Sequence, residues 1–104
     1  MVKLKAKKFL NPVTEAGRYT IREATPRPDL KYEPILLELT KNDDNSGTRY
    51  GHFVPTWGQV DPNSSTNSGR LVRHFSDETD DWEDKEIDIK IDDRGRKLIY
   101  PVAA

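Results

Sequence analysis

Asn67-Ser68-Gly69-Arg70-Leu71-Val72-Arg73-His74-Phe75 is the stretch whose apolar residues repeat at helical spacing. Leu71, Val72 and Phe75 fall at i, i+1 and i+4, on one face of a short helix, with Asn67 or Ser68 as the N-cap. The chain on either side of it alternates or turns. The number of extended runs before and after this helix therefore decides among the small β architectures.

Three runs precede it. Arg18 to Ala24 alternates, with Tyr19, Ile21 and Glu23 on one side, and Gly17 is its entry turn. Thr25-Pro26-Arg27-Pro28-Asp29 breaks it, because prolines remove ladder donors. Ile35 to Thr40 is the second run, with Ile35, Leu37 and Leu39 on one face. The polar cluster 41–47 reads as a hairpin loop into the third run, Thr48 to Val54. There Tyr50, His52 and Val54 oppose Arg49 and Phe53, so at least one of Tyr50 and Phe53 belongs to the core.

Two runs follow it. Lys85 to Ile91 has the cleanest alternation, with Ile87, Ile89 and Ile91 inside. Asp92-Asp93-Arg94-Gly95 turns the chain into Arg96 to Val102. The expected class is all-β with one short helix, a five-stranded OB-fold barrel in the order β-β-β-α-β-β, in which the helix plugs the barrel between strands three and four. A small SH3-like barrel or an incomplete sandwich are the competing architectures.

A length of 104 residues fits one domain, 1–104, and a composition of 34% hydrophobic and 34% charged residues suits one buried face per strand. Residues 1–8, with lysines at 3, 5, 7 and 8, read as a flexible basic arm or as the start of a strand. The absence of cysteine excludes disulfides and thiolate metal sites and points to an intracellular, cytoplasmic setting. No apolar run approaches the ~20 residues of a membrane-spanning helix, and the N-terminus lacks the apolar block of a signal peptide. No membrane association is expected.

The stretch Leu71 to Ile89, a short helix ending in Phe75, then Ser76, Glu78-Thr79, and Trp82-Glu83-Asp84-Lys85 entering a strand, resembles a recurring pattern in small archaeal, phage and viral proteins. Phe9-Leu10-Asn11-Pro12 with Gly17-Arg18-Tyr19 is similar to their opening. Those proteins are OB-fold single-stranded DNA-binding or replication-accessory proteins, so the resemblance implies DNA replication as a setting and an archaeal or viral source. It covers roughly a third of the chain, and Asp84 stands where many members have glycine.

Formal charge is −1 overall but unevenly spread: residues 1–41 balance at +4, residues 42–76 at zero and residues 77–104 at −5. The front half offers a basic surface to a polyanion. Binding a single strand needs aromatic faces for bases and cations for phosphates. On an OB barrel these sit on strands two and three and on the loops joining strands one to two and four to five. The candidates there are Arg27, Lys31 and Tyr32 in the first loop, Arg49, Tyr50, His52 and Trp57 on and after the third strand, and Arg94 and Arg96 in the last hairpin. Tyr32, flanked by prolines, is the best exposed aromatic. Trp57 is either a core cap or an exposed platform. Tyr19 belongs to the core, and so does Trp82, since seven acidic residues in 77–86 surround it and would repel phosphate. The acidic segment is a solvated connector, a contact for a basic protein partner, or a repulsive element limiting non-specific binding.

No catalytic constellation is present. His52 and His74 lack any metal-ligand spacing, and no cofactor is implied. Asn42, Asp44, Ser46 and Gly47 have the opening spacing of a calcium loop, but Phe53 stands where the twelfth-position glutamate is required. The expected function is non-catalytic binding of single-stranded nucleic acid by a monomer or homodimer. The alternative is a protein-interaction or structural module on the same barrel.

Overall fold

A computed structural model of the chain describes residues 10–102. It is mostly β, with one short helix. The elements are β1 (Asn11–Pro12), β2 (Gly17–Pro26), β3 (Ile35–Lys41), β4 (Tyr50–Val54), α1 (Asn67–His74), a single 3-10 turn (Thr79–Trp82), β5 (Glu86–Ile91) and β6 (Lys97–Pro101). They form one unclosed six-stranded sheet in the order β1-β4-β3-β2-β5-β6. No helix among the described residues is long and apolar enough to cross a membrane. The basic segment 1–8 lies outside the described residues.

β2 is the hub. It pairs antiparallel with β3 from Tyr19 to Pro26 and with β5 from Gly17 to Thr20. The β2–β3 register shifts between Ile21 and Glu23, so Arg22 is the extra residue of a bulge. The shift corrects the simple alternation expected for this strand. Glu23 turns out to solvent opposite Glu38, and Ala24 takes the inward position against the core. Inward side chains from five strands, Tyr19, Ile21, Leu37, Leu39, Val54, Ile87, Ile89 and Ile99, are buried together with Leu71 of α1 and Trp82. Burial of each aliphatic contributes about 1.5–3 kcal/mol, which makes this cluster the main source of stability.

The acidic segment ends on this core. Trp82 is fully buried and its indole N–H donates to the Ser76 carbonyl at 2.9 Å. Just before the bulge the main chain is tied down at Ile21: Asp84 N donates to Ile21 O (2.7 Å) and Ile21 N to Lys85 O (2.9 Å). Asp84 itself sits at φ 64, the left-handed region in which glycine is the default residue.

Two expectations are corrected. Six strands form where five were expected, because Asn11–Pro12 adds a short parallel strand to β4 at Tyr50 and Gly51. A pair of residues ending in proline gives no period to read, and proline is tolerated only at such an edge. The second correction is that the sheet does not close into a barrel by hydrogen bonding. Helix α1 occupies the free edge of β6 instead. The Asn67 amide donates to Lys97 O (2.9 Å) and accepts from Ile99 N (2.9 Å), and the Arg70 guanidinium donates to Ile99 O (2.8 Å). Asn67 thus mimics a strand neighbour and satisfies main-chain groups of β6 at that edge. It follows that Thr66, and not Asn67 or Ser68, caps the helix, its hydroxyl accepting from Gly69 N at 3.1 Å.

Candidate nucleic-acid interface

The β2–β3 connection and the segment after β4 leave the sheet at the same end and lock together. Thr56 N and Trp57 N both donate to the Tyr32 carbonyl, at 3.1 and 2.8 Å. The Thr56 hydroxyl donates to Glu33 O (2.6 Å) and accepts from Gly58 N (3.2 Å). Tyr32, Glu33 and Trp57 hold φ values of 67, 43 and 53. Each such non-glycine residue costs about 1–2 kcal/mol relative to an ordinary backbone, so the shared hydrogen bonds must hold them there.

The strained loops present two aromatic rings. Tyr32 is 48% exposed and Trp57 62%. Their ring centroids lie 5.7 Å apart at 60°, an edge-to-face pair. The Lys31 ammonium sits 5.0 Å from the Tyr32 centroid. Arg27, in the same loop, forms a two-pronged pair with Asp29 (3.1 and 2.9 Å), and this contact raises the Arg27 pKa and lowers that of Asp29. Arg27, Lys31, Tyr32 and Trp57 are therefore brought to one end of the sheet.

The other candidates lie elsewhere. Arg49 projects from the outer face next to β4, 3.7 Å from the buried Glu38 carboxylate. Tyr50 and His52 share the inward face of β4 with Val54. Tyr50 packs edge-to-face on Tyr19 at 5.7 Å, and His52 is half-buried. Burial pushes the His52 pKa down, helped by the charge of Lys97 on β6. Arg94 and Arg96 belong to the β5–β6 turn. The registers put that turn beyond the Gly17 end of β2, whereas Tyr32 lies beyond its Pro26 end. Arg96 is paired there with Asp92 at 2.8 Å.

Of three further features, Phe53 was read from the sequence as an aromatic of the third strand, on the core or on the outer face, and the other two had no counterpart there. Phe53 is 47% exposed on the outer face, beside Leu10, Pro12, Leu36 and Gly51, around a cavity of about 340 Å³. Its signal was only its position opposite Val54 in the alternation. Arg22, the bulge residue, stands on the outer face, donating to Thr40 Oγ1 (3.0 Å) and pairing with Asp84 (3.3 Å). Finally, a cleft of about 270 Å³ adjoins the aromatic pair, between Glu33, Gly58, Gln59 and Asp77. Trp57-Gly58 was its sole trace in the sequence. Comparison with models of protein families, with curated proteins and with solved structures gave no match.

Proposed function

We propose that this chain is a non-catalytic single-stranded nucleic-acid-binding module built on an open OB-type barrel. One observation carries the reading: two exposed aromatic rings, Tyr32 and Trp57, are held together by strained, cross-linked loops, with Lys31 against the Tyr32 ring. Sequence-tolerant strand binding combines stacking faces with cations, each stacked base contributing ~1–3 kcal/mol. Loops already fixed in the binding geometry spare the ordering cost of association. The barrel reading is supported by the order β-β-β-α-β-β after the small β1, by β2 pairing on both sides, and by the partly open form that OB barrels take. Lys31 and the ring faces of Tyr32 and Trp57 are the proposed contacts. Arg27 joins them when phosphate competes for it with Asp29, and Arg49 extends the path on the outer face.

Fluorescence anisotropy with a labelled deoxythymidine tract tests this at two salt concentrations. The expected result is affinity that falls as salt rises. Tyr32→Ala or Trp57→Ala should each weaken binding by about 10- to 100-fold. Quenching of tryptophan emission should accompany binding and vanish in Trp57→Phe, because Trp82 is fully buried. No binding at tens of micromolar protein in low salt refutes the proposal.

A second reading, a protein-interaction module, is favoured by the apolar cavity around Phe53 and Leu36 on the outer face. Apolar docking is insensitive to salt, so the same titration separates the two.

A further inference from the structure

The cleft beside Tyr32 and Trp57 has a different chemistry from the rings. Apolar Pro26, Ile35 and Val60 line it together with polar Glu33, Gln59 and Asp77. Its volume of about 270 Å³ falls just under the ~300–1,000 Å³ of pockets for drug-sized ligands, which leaves room for one heterocycle. The Glu33 carboxylate lies so close to Gly58 that a Cβ there would collide with it, and Gly58 holds φ 80. Glu33, Gln59 and Asp77 side chains have no hydrogen bond or ion pair among the described residues. A carboxylate beside a proposed phosphate path opposes binding in general, so its presence at the aromatic pair calls for a group that it would attract.

We propose, building on the single-strand reading, that this cleft is a base-selecting pocket in which the Glu33 carboxylate accepts from the donor edge of guanine. Guanine presents N1–H and N2–H side by side, and a carboxylate accepts both in the bidentate geometry that discriminates between bases. Thymine and uracil turn carbonyl oxygens to the same place and are repelled. Cytosine and adenine offer one exocyclic amine and fall between. The base that enters sits next to the one stacked on Trp57, because Glu33 follows Tyr32 and Gly58 follows Trp57 in the two locked loops.

The experiment uses three labelled strands of about 18 nucleotides, longer than one binding site: a thymidine tract, a thymidine–thymidine–guanosine repeat, and the same repeat with inosine for guanosine. Wild-type protein should bind the guanosine repeat about 10-fold more tightly than the tract, the lower end of bidentate discrimination. Inosine, which lacks the N2 amine, should lose most of that gain without any change in the protein. Glu33→Gln should erase the guanosine preference and leave thymidine-tract affinity unchanged or slightly raised. Salt-dependent tract binding with no guanosine preference overturns this pocket and leaves the single-strand reading standing. Absence of binding to all three strands overturns both. A preference that survives Glu33→Gln, or capture of an arginine-rich peptide that Glu33→Gln abolishes while the DNA affinities stay equal, overturns the assignment of guanine.

Discussion

Asn67 holds the open edge of the sheet, and its removal tests that arrangement directly. Its amide makes three contacts: a donation to Lys97 O at 2.9 Å, and acceptances from Ile99 N at 2.9 Å and an Arg70 N–H at 2.6 Å. Asn67→Ala therefore strands one carbonyl and one amide of β6 in partly buried positions. An unsatisfied buried main-chain group costs ~1–3 kcal/mol, so the pair should cost about 2–3 kcal/mol. For a domain of this size that corresponds to a fall in Tm of about 10–20 °C. Asn67→Asp keeps the acceptor for Ile99 N and Arg70, loses only the donor to Lys97 O, and gains about 0.5 kcal/mol from an acidic residue in the first turn of α1. It should cost about 1 kcal/mol net. Urea unfolding followed by the emission of buried Trp82 measures both variants. If both midpoints stay within the equivalent of about 0.5 kcal/mol of the wild type, water replaces the amide at that edge and the account of the unclosed sheet is wrong.

Other outcomes follow from the same geometry. Trp82→Phe, which loses the indole donation to Ser76 O and leaves a void in the core, should lower stability by about 2 kcal/mol in urea unfolding. Gly58→Ala forces a side chain into φ 80 and onto the Glu33 carboxylate, so it should cost about 1–2 kcal/mol and abolish guanosine preference while thymidine-tract binding persists. Stability should decline with acid in two stages. The His52 pKa is lowered in the folded state, so the unfolded chain binds the extra proton and stability is lost as pH falls below about 6.5. His52→Leu should remove that stage in a pH series of urea midpoints. The second stage starts near pH 4, where the unfolded chain takes up protons at Asp88 and Asp92 while the folded state resists, Asp88 being held down chiefly by its bond from Arg18 and Asp92 chiefly by the Arg96 amide.

The alternation of Ile87, Ile89 and Ile91 and of Ile35, Leu37 and Leu39 was legible because the apolar residues of each strand recur at every second position, on the face that carries the core. The same rule misplaced Glu23. Read at period two, Tyr19, Ile21 and Glu23 share a face, but the apolar residue after Ile21 is Ala24, three positions on. That odd spacing is the mark a bulge leaves in a sequence. The edge of β6 left no local mark at all. Asn67 reads as a helix cap from its neighbours, and only its 30-residue reach to Lys97 makes it a surrogate strand. Tertiary pairing took the side chain that local propensity had assigned to α1, and the cap passed to Thr66.

For the site, residue type was legible and conformation was not. Lys31 and Tyr32 stood out as a cation and an aromatic in a proline-flanked loop, and Trp57 was open between core and surface. What joins Tyr32 and Trp57 is one carbonyl accepting two amides from a segment more than twenty residues away, together with left-handed backbone at three residues that ordinarily avoid it. No periodicity encodes such strain, since the residues that adopt it are held by neighbours and not by their own preference. The strain bears on function as well as on folding. A loop that relaxed to ordinary φ would separate the two rings and draw Glu33 away from Gly58, so the stacking pair and the cleft would fail together. Their dependence on one set of hydrogen bonds means that Thr56→Val, which deletes the hydroxyl joining Glu33 O to Gly58 N, should reduce both thymidine-tract affinity and guanosine preference. Loss of one property without the other in Thr56→Val, which touches neither the rings nor the Glu33 carboxylate, would show that the rings and the cleft are positioned independently.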